Sequence, residues 1–145
     1  MEGGTLKTKE RKDYYWIFYL EFIGSAIMLF GIMMSPGNIP STVAAIFVVG
    51  VLYGKYTGAH YNGGLSIAIY IVEAKWKEKL KLLGLYWIAE YTGALFGIAI
   101  AYSVAGYDNI SFLKPGSTAY SGFYVAYVEM IGTFIMFNMI LYVKF

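Results

Sequence analysis

The sequence has no cysteine, one histidine and three prolines, and only 14% of its 145 residues are charged. Without cysteine the chain forms neither a disulfide nor a thiolate metal site. A lone histidine supports no metal centre, and we find no Ser-His-Asp or Cys-His set and no phosphate-binding loop. We therefore predict that the chain is not an enzyme, carries no cofactor and does not bind nucleic acid.

Apolar residues dominate instead. They make up 59% of the chain, and the mean hydropathy is +0.57, which is typical of an integral membrane protein. After a polar tail (residues 1–13), we predict one all-α membrane domain, residues 14–145. It would contain four transmembrane helices of about 18 to 25 residues, as spanning requires, at about 14–34, 39–56, 82–105 and 119–143.

A fifth apolar segment, about residues 63–73, is too short to span. Ten helical residues rise about 15 Å, half of a hydrocarbon core of about 30 Å. It follows a polar, glycine-rich run, so we predict a re-entrant loop and half-helix. Such backbone survives at membrane depth only where it is buried in protein or lines a cavity. The candidate site residues of this loop are Gly58, Ala59, His60, Asn62, Gly63 and Gly64.

The basic residues are unevenly distributed. If the four spans alternate in direction, ten of the eleven lysines and arginines fall on one side and only Lys114 falls on the other. The positive-inside rule then places both termini and the half-helix on the cytoplasmic or matrix-like side. A charged connector, Glu73 to Lys81, would join the half-helix to the third span.

Small residues recur at helix-packing spacing. Gly50 and Gly54 are four apart in the second span, and Gly93 and Gly97 repeat this step in the third. Glycines at such spacing let helix backbones approach closely in lipid. We predict two packing faces, although glycine is also common in transmembrane helices for no such reason.

Three acids lie within the predicted spans: Glu21, Glu90 and Glu129. Intramembrane acids are costly and face the protein interior, where they pair or function. The first and fourth spans also resemble each other around Glu21 and Glu129, each followed three residues later by glycine. Structural pairing is the interpretation that we favour, and a proton relay is the alternative.

The residues as a whole resemble the aquaporin (major intrinsic protein) family. That family has Ser-Gly-Ala-His-x-Asn-Pro-Ala before a half-helix, and here Thr57–Gly64 reads Thr-Gly-Ala-His-Tyr-Asn-Gly-Gly. Glu21–Gly24 is similar to the family's first helix and Ala89–Ala94 to its third. Glu129–Phe134 is similar to the helix that opens its second repeat. The resemblance covers the chain after residue 13, in the right order.

The resemblance implies roles for individual residues. Asn62 would cap the half-helix and, in a working pore, donate to passing water. His60 would help to hold the loop, and Glu21 would accept hydrogen bonds from it. Glu129 corresponds to an acid that holds a second loop, and Glu90 stands where glutamine is usual, so it would be protonated or lie beside a donor.

The departures from the family are equally informative. Gly63 and Gly64 replace the proline and alanine, which loosens the helix start because each glycine costs about 1 kcal/mol relative to alanine. The second half-helix and the filter arginine have no counterpart in these 145 residues. In the family, two opposed half-helices together orient water and repel cations.

Two functions follow as hypotheses. The chain is an accessory subunit of a larger membrane complex, in which other subunits or a bound phospholipid cover the loop and the unpaired acids. Alternatively, it is a passive channel for water or small neutral solutes that a partner chain completes. An organelle inner membrane, such as the mitochondrial one, is a further hypothesis, prompted by how often small hydrophobic subunits gather there.

Overall fold

The computed structural model describes residues 3–35, 38–74, 76–106 and 122–144, with side chains from residue 14 to residue 143 of these ranges. These residues form five α-helices: α1 (Gly3–Met33), α2 (Ile39–Thr57), α3 (Gly63–Glu73), α4 (Trp76–Ala105) and α5 (Gly122–Lys144). They belong to two compact units, Met1–Ser111 and Phe112–Phe145, rather than to one. Each unit is therefore described by itself, and the second consists of α5 in its described part.

Four of the helices are long and apolar enough to cross a membrane: Tyr14–Met33, Ile39–Thr57, Trp76–Ala105 and Gly122–Val143. The prediction of an all-α chain with four such helices is confirmed for the described residues. Helix α3, with 11 residues, has the bounds that were predicted for the half-helix. Large apolar side chains face outward, as a bilayer requires; Phe47 on α2, for example, is 68% exposed.

Two helix starts differ from the prediction. The charged connector from Glu73 to Lys81 is wrong in its second part, because residues 76–81 already belong to α4. Lysine, glutamate and leucine are good helix formers, so this helix begins before its lipid-facing stretch. Helix α1 likewise extends back to Gly3. Residues 119–121 of the predicted fourth span and Lys114 lie outside the described residues.

Helices α1 and α4 run parallel in backbone contact. A Cβ atom added to Gly93 would collide with the carbonyl group of Phe22, and one added to Gly97 would collide with that of Ala26. Both contacts advance by four residues in the same direction along the two helices. The predicted packing face of α4 is therefore present, and its partner is α1.

Helices α1 and α2 run antiparallel. A Cβ atom on Gly31 near the end of α1 would collide with Ala45 near the start of α2. Leu20, earlier in α1, lines a groove with Leu52, later in α2. Asn38 begins α2 by accepting a hydrogen bond from the Ser41 amide at 3.1 Å. Helix α1 thus packs against both α2 and α4.

The two glycines of the predicted packing face of α2 have different surroundings. A Cβ atom added to Gly50 would meet no atom within 4 Å among the described residues. A Cβ atom on Gly54 would lie 3.2 Å from that of Ala59, so this glycine makes room for the loop that follows α2. The spacing of the two glycines is the same as in α4, but only one of them faces a neighbour among the described residues.

Helix α3 packs antiparallel along the first half of α4. At its start, the Trp87 indole N–H donates to the carbonyl of Gly63 at 3.0 Å. At its other end, the Tyr70 hydroxyl donates to the carbonyl of Trp76, the first residue of α4. The N-terminal ends of α1 and α4 and the C-terminal ends of α2 and α3 therefore meet at one end of the unit. We call it the basic end, since it carries Lys55, Lys77, Lys79 and Lys81.

Candidate functional site

Five of the six buried polar side chains of the described residues, all but Ser25, make hydrogen bonds with the loop between α2 and α3, residues 58–62, or with one another. Buried polar groups need hydrogen-bond partners, so their clustering marks a built site rather than a lipid-facing surface. The six side chains are Glu21, Ser25, Thr57, His60, Ser66 and Glu90.

The loop backbone is strained. Three of its residues have left-handed φ angles: Gly58 (88°), Ala59 (54°) and Tyr61 (45°). This region suits glycine but costs other L-residues about 1–2 kcal/mol each. Such strain persists only where surrounding contacts hold it.

The carboxyl group of Glu21 supplies two of these contacts. Glu21 is fully buried in α1, and its oxygens accept hydrogen bonds from the amides of His60 at 3.3 Å and Tyr61 at 2.9 Å. The Tyr61 ring occupies the space that a Cβ on Gly24 would fill, and its hydroxyl donates to the carbonyl of Val49 at 3.2 Å. The Glu-x-x-Gly pattern of α1 thus holds one loop residue from two sides.

Asn62 begins α3. Its backbone is extended, and its side-chain oxygen accepts from the amides of Gly64 at 2.9 Å and Leu65 at 3.4 Å. This N-cap satisfies two of the donors that every helix start leaves free. Unlike Glu21, Asn62 is exposed. The nitrogen of its side-chain amide has no hydrogen-bond partner among the described residues.

His60 links the loop to α3 and α4. Its Nδ1 lies 2.9 Å from the hydroxyl of Ser66, and its ring stacks on Tyr86 with centroids 4.2 Å apart and planes at 16°. The Tyr86 hydroxyl in turn donates to the carbonyl of Thr57 at 2.6 Å, at the end of α2. One aromatic residue of α4 therefore fixes both the histidine and the last residue of α2.

Glu90 lies midway along α4 and is only 3% exposed. Its Oε1 accepts from the hydroxyl of Ser66 at 2.6 Å. Its Oε2 is buried and has no hydrogen-bond partner among the described residues, a state that it shares with the hydroxyl of Ser25. The Ser66 hydroxyl therefore lies beside Glu90 and contacts only one of its two carboxyl oxygens.

The structure brings four predicted residues of the first unit together: Glu21, His60, Asn62 and Glu90. Glu129 lies on α5 in the second unit, so its predicted role stays a prediction. Within the described ranges, no group of three or more acidic or histidine side chains is arranged to hold a metal ion.

Sequence reasoning missed four contributors to the site: Tyr61, Ser66, Tyr86 and Trp87. One signal was available, since Gly24 three residues after an intramembrane acid indicates close approach by another group. For Tyr86 and Trp87 the sequence carried no signal, because aromatic residues occur throughout all four spans and only the fold distinguishes those that meet the loop.

Comparison of the chain with protein-family models, curated proteins and solved structures finds no match.

Proposed function

We propose that the chain is an aquaporin-like membrane protein that serves as an accessory subunit of a larger membrane complex. Its first unit would dock the exposed start of α3 against another membrane subunit. The observation that carries the proposal is the exposure of Asn62 beside the middle of a helix long enough to span the bilayer.

The depth of the loop follows from its contacts with α4. Trp87 binds the carbonyl of Gly63, and Glu90 binds Ser66 one turn further along α3. Both α4 residues lie near the centre of a 30-residue helix. If α4 crosses the membrane, the start of α3 lies near the middle of the hydrocarbon core, about 15 Å from either surface.

At that depth the polar start of α3 needs cover. The side-chain nitrogen of Asn62, which has no hydrogen-bond partner among the described residues, would otherwise face lipid. Each unsatisfied polar group in hydrocarbon costs several kcal/mol. A protein surface with hydrogen-bond acceptors at this level removes that cost, which favours assembly over an isolated unit in the bilayer.

Phospholipid is the second partner in this proposal. A groove of about 550 Å³ between α1 and α4 at the basic end is lined by Tyr14, Tyr15, Phe18, Lys81 and Leu85. Its walls suit an acyl chain, and the lysine at its edge suits an anionic head group. The proposal also puts the basic end on the cytoplasmic or matrix-like side.

A passive channel completed by a partner chain is the second candidate function. The strained backbone of the loop between α2 and α3 favours it. Ala59 and Tyr61 have left-handed backbone angles, and Asn62 caps α3. Strained backbone persists mainly at functional sites. A partner that supplied an opposed half-helix would then form a pore with the exposed start of α3.

Site-directed cross-linking tests the accessory role, because the chain has no cysteine of its own. Tyr91 is 59% exposed and lies beside the start of α3, whereas Phe47 is 68% exposed in the middle of α2. A photoreactive probe on Y91C, in native membranes, should join the chain to one defined polypeptide other than itself. The same probe on F47C, a matched exposed aromatic position, should label mainly lipid.

Two results would contradict the accessory role. One is that the chain, solubilised mildly from native membranes, migrates as a monomer or small homo-oligomer. The other is that it alone raises the water permeability of liposomes, measured by stopped-flow light scattering. Permeability that requires the cross-linked polypeptide would support the channel candidate instead.

A further inference from the structure

A small cavity leads from the basic end toward the centre of the first unit, between α3 and α4. It has a volume of about 30 Å³ and touches the partly exposed ion pair Glu73–Lys79 (2.6 Å) as well as the buried His60 and Ser66. A cavity needs about 10–15 Å³ to hold a water molecule. Water therefore fits between this polar entrance and the histidine ring.

From the cavity, a chain of hydrogen bonds continues to Glu90. It runs from His60 Nδ1 to Ser66 Oγ over 2.9 Å and from Ser66 Oγ to Glu90 Oε1 over 2.6 Å. This series of hydrogen bonds has two complete arrangements. Either His60 donates to Ser66 and Ser66 donates to a carboxylate, or a protonated Glu90 donates to Ser66 and Ser66 donates to His60.

With His60 as an imidazolium, the two arrangements hold the same number of protons and differ only in whether one proton lies on His60 or on Glu90. When His60 is an imidazolium, its Nδ1 proton passes to Ser66 Oγ while the Ser66 proton passes to Glu90 Oε1. The imidazole is then neutral and keeps its Nε2 proton, and Glu90 is a neutral carboxylic acid. Charge and atoms balance, and a further proton from cavity water restores the imidazolium.

The surroundings of Glu90 favour the neutral acid. Its Oε2 is buried and makes no hydrogen bond in the described part of the chain, although the backbone amide of Asn62 faces the carboxyl group, and Glu90 lies midway along a potentially spanning helix. Burying a carboxylate oxygen without a hydrogen bond costs far more free energy in such a place than burying the carbonyl oxygen of a carboxylic acid. The charged or titratable groups that face this region from the loop and the neighbouring helices are Glu21, Tyr61, Glu73, Lys79 and Tyr86.

We propose that Glu90 is a proton-binding site that exchanges its proton with water in this cavity through His60 and Ser66. The ligand is a proton from the aqueous phase at the basic end. This inference does not depend on the accessory role, since it concerns contacts within the first unit alone.

Infrared spectroscopy of the full chain in lipid vesicles tests the site. The carbonyl stretch of a protonated carboxylic acid shifts on transfer to D₂O as its proton exchanges, and Glu90→Gln should remove this band. His60→Phe keeps the ring stack on Tyr86 and Ser66→Ala removes the hydroxyl. Each should slow the exchange at least about 100-fold, the lower end of what a positioned acid–base group contributes to a proton transfer. Ser103→Ala, which removes an exposed hydroxyl elsewhere on α4, should leave the exchange rate unchanged.

Two outcomes overturn the proposal. A spectrum in which Glu90→Gln removes no protonated-carboxyl band shows that Glu90 carries no proton. Exchange as fast in His60→Phe and Ser66→Ala as in the unchanged protein shows that the route is wrong. If those variants do not fold, dicyclohexylcarbodiimide, which modifies protonated carboxyl groups in apolar surroundings, provides the test on the unchanged chain. Modification of Glu90 that falls as pH rises supports the site, and its absence at all pH values refutes it.

Discussion

Removal of the Glu21 carboxyl group should release the loop between α2 and α3. Both oxygens accept backbone hydrogen bonds, from His60 at 3.3 Å and from Tyr61 at 2.9 Å, in a fully buried position. A buried donor left unsatisfied costs about 1–3 kcal/mol. Glu21→Gln keeps one acceptor oxygen and turns an NH₂ group toward the other amide, so the free energy of unfolding should fall by about 1–3 kcal/mol.

Glu21→Ala leaves both amides without an acceptor, so the corresponding loss is about 2–6 kcal/mol, before any cavity term. Equilibrium unfolding in mixed micelles, followed by tryptophan fluorescence, measures both losses. Glu78→Gln is the matched control, because Glu78 is exposed near the start of α4 and should change stability by less than about 0.5 kcal/mol. If Glu21→Gln costs no more than this control, the carboxyl group does not hold the loop and our account of the site fails.

Two further substitutions test the packing and the cap. Gly97→Val should destabilise the first unit by several kcal/mol, because a side chain there meets the backbone of α1. Gly50→Val is the control and should be nearly neutral, because a side chain there meets open space among the described residues. Equal melting temperatures for the two variants would contradict this packing. Asn62→Ala should lower the free energy of unfolding by about 1 kcal/mol, because the hydrogen bonds from the Gly64 and Leu65 amides are lost, while Asn62→Asp should keep the cap. Unfolding in mixed micelles measures the difference. An Asn62→Ala variant of unchanged stability would show that the cap is dispensable.

The positions of most helices were predictable from the sequence, because a bilayer sets the length of a helix that can cross it. Hydropathy located the spanning segments, and the shortness of residues 63–73 marked α3. Hydropathy could not locate the start of α4, because the helix continues through the charged residues 76–81 that leave the apolar zone. Equal glycine spacing likewise could not distinguish Gly97, which meets a neighbour, from Gly50, which meets none in the described ranges.

The candidate site was predictable only in its local parts. Asn62 before an apolar run indicates an N-cap from sequence alone, since the cap and the amides that it satisfies are adjacent. The contact between Ser66 and Glu90 joins residues 24 positions apart, and that between Glu21 and Tyr61 joins residues 40 apart. Such pairings depend on the directions and rotations of packed helices, which no local pattern encodes.

The half-length of α3 also constrains how the protein is made. A segment of 11 residues cannot remain across a bilayer by itself, and its partners Trp87 and Glu90 are synthesised only after it. We therefore expect the contacts of α3 with Trp87 and Glu90 to form only after α4 has been synthesised. The packing of this unit is then completed around a segment that was translated before its main partner helix.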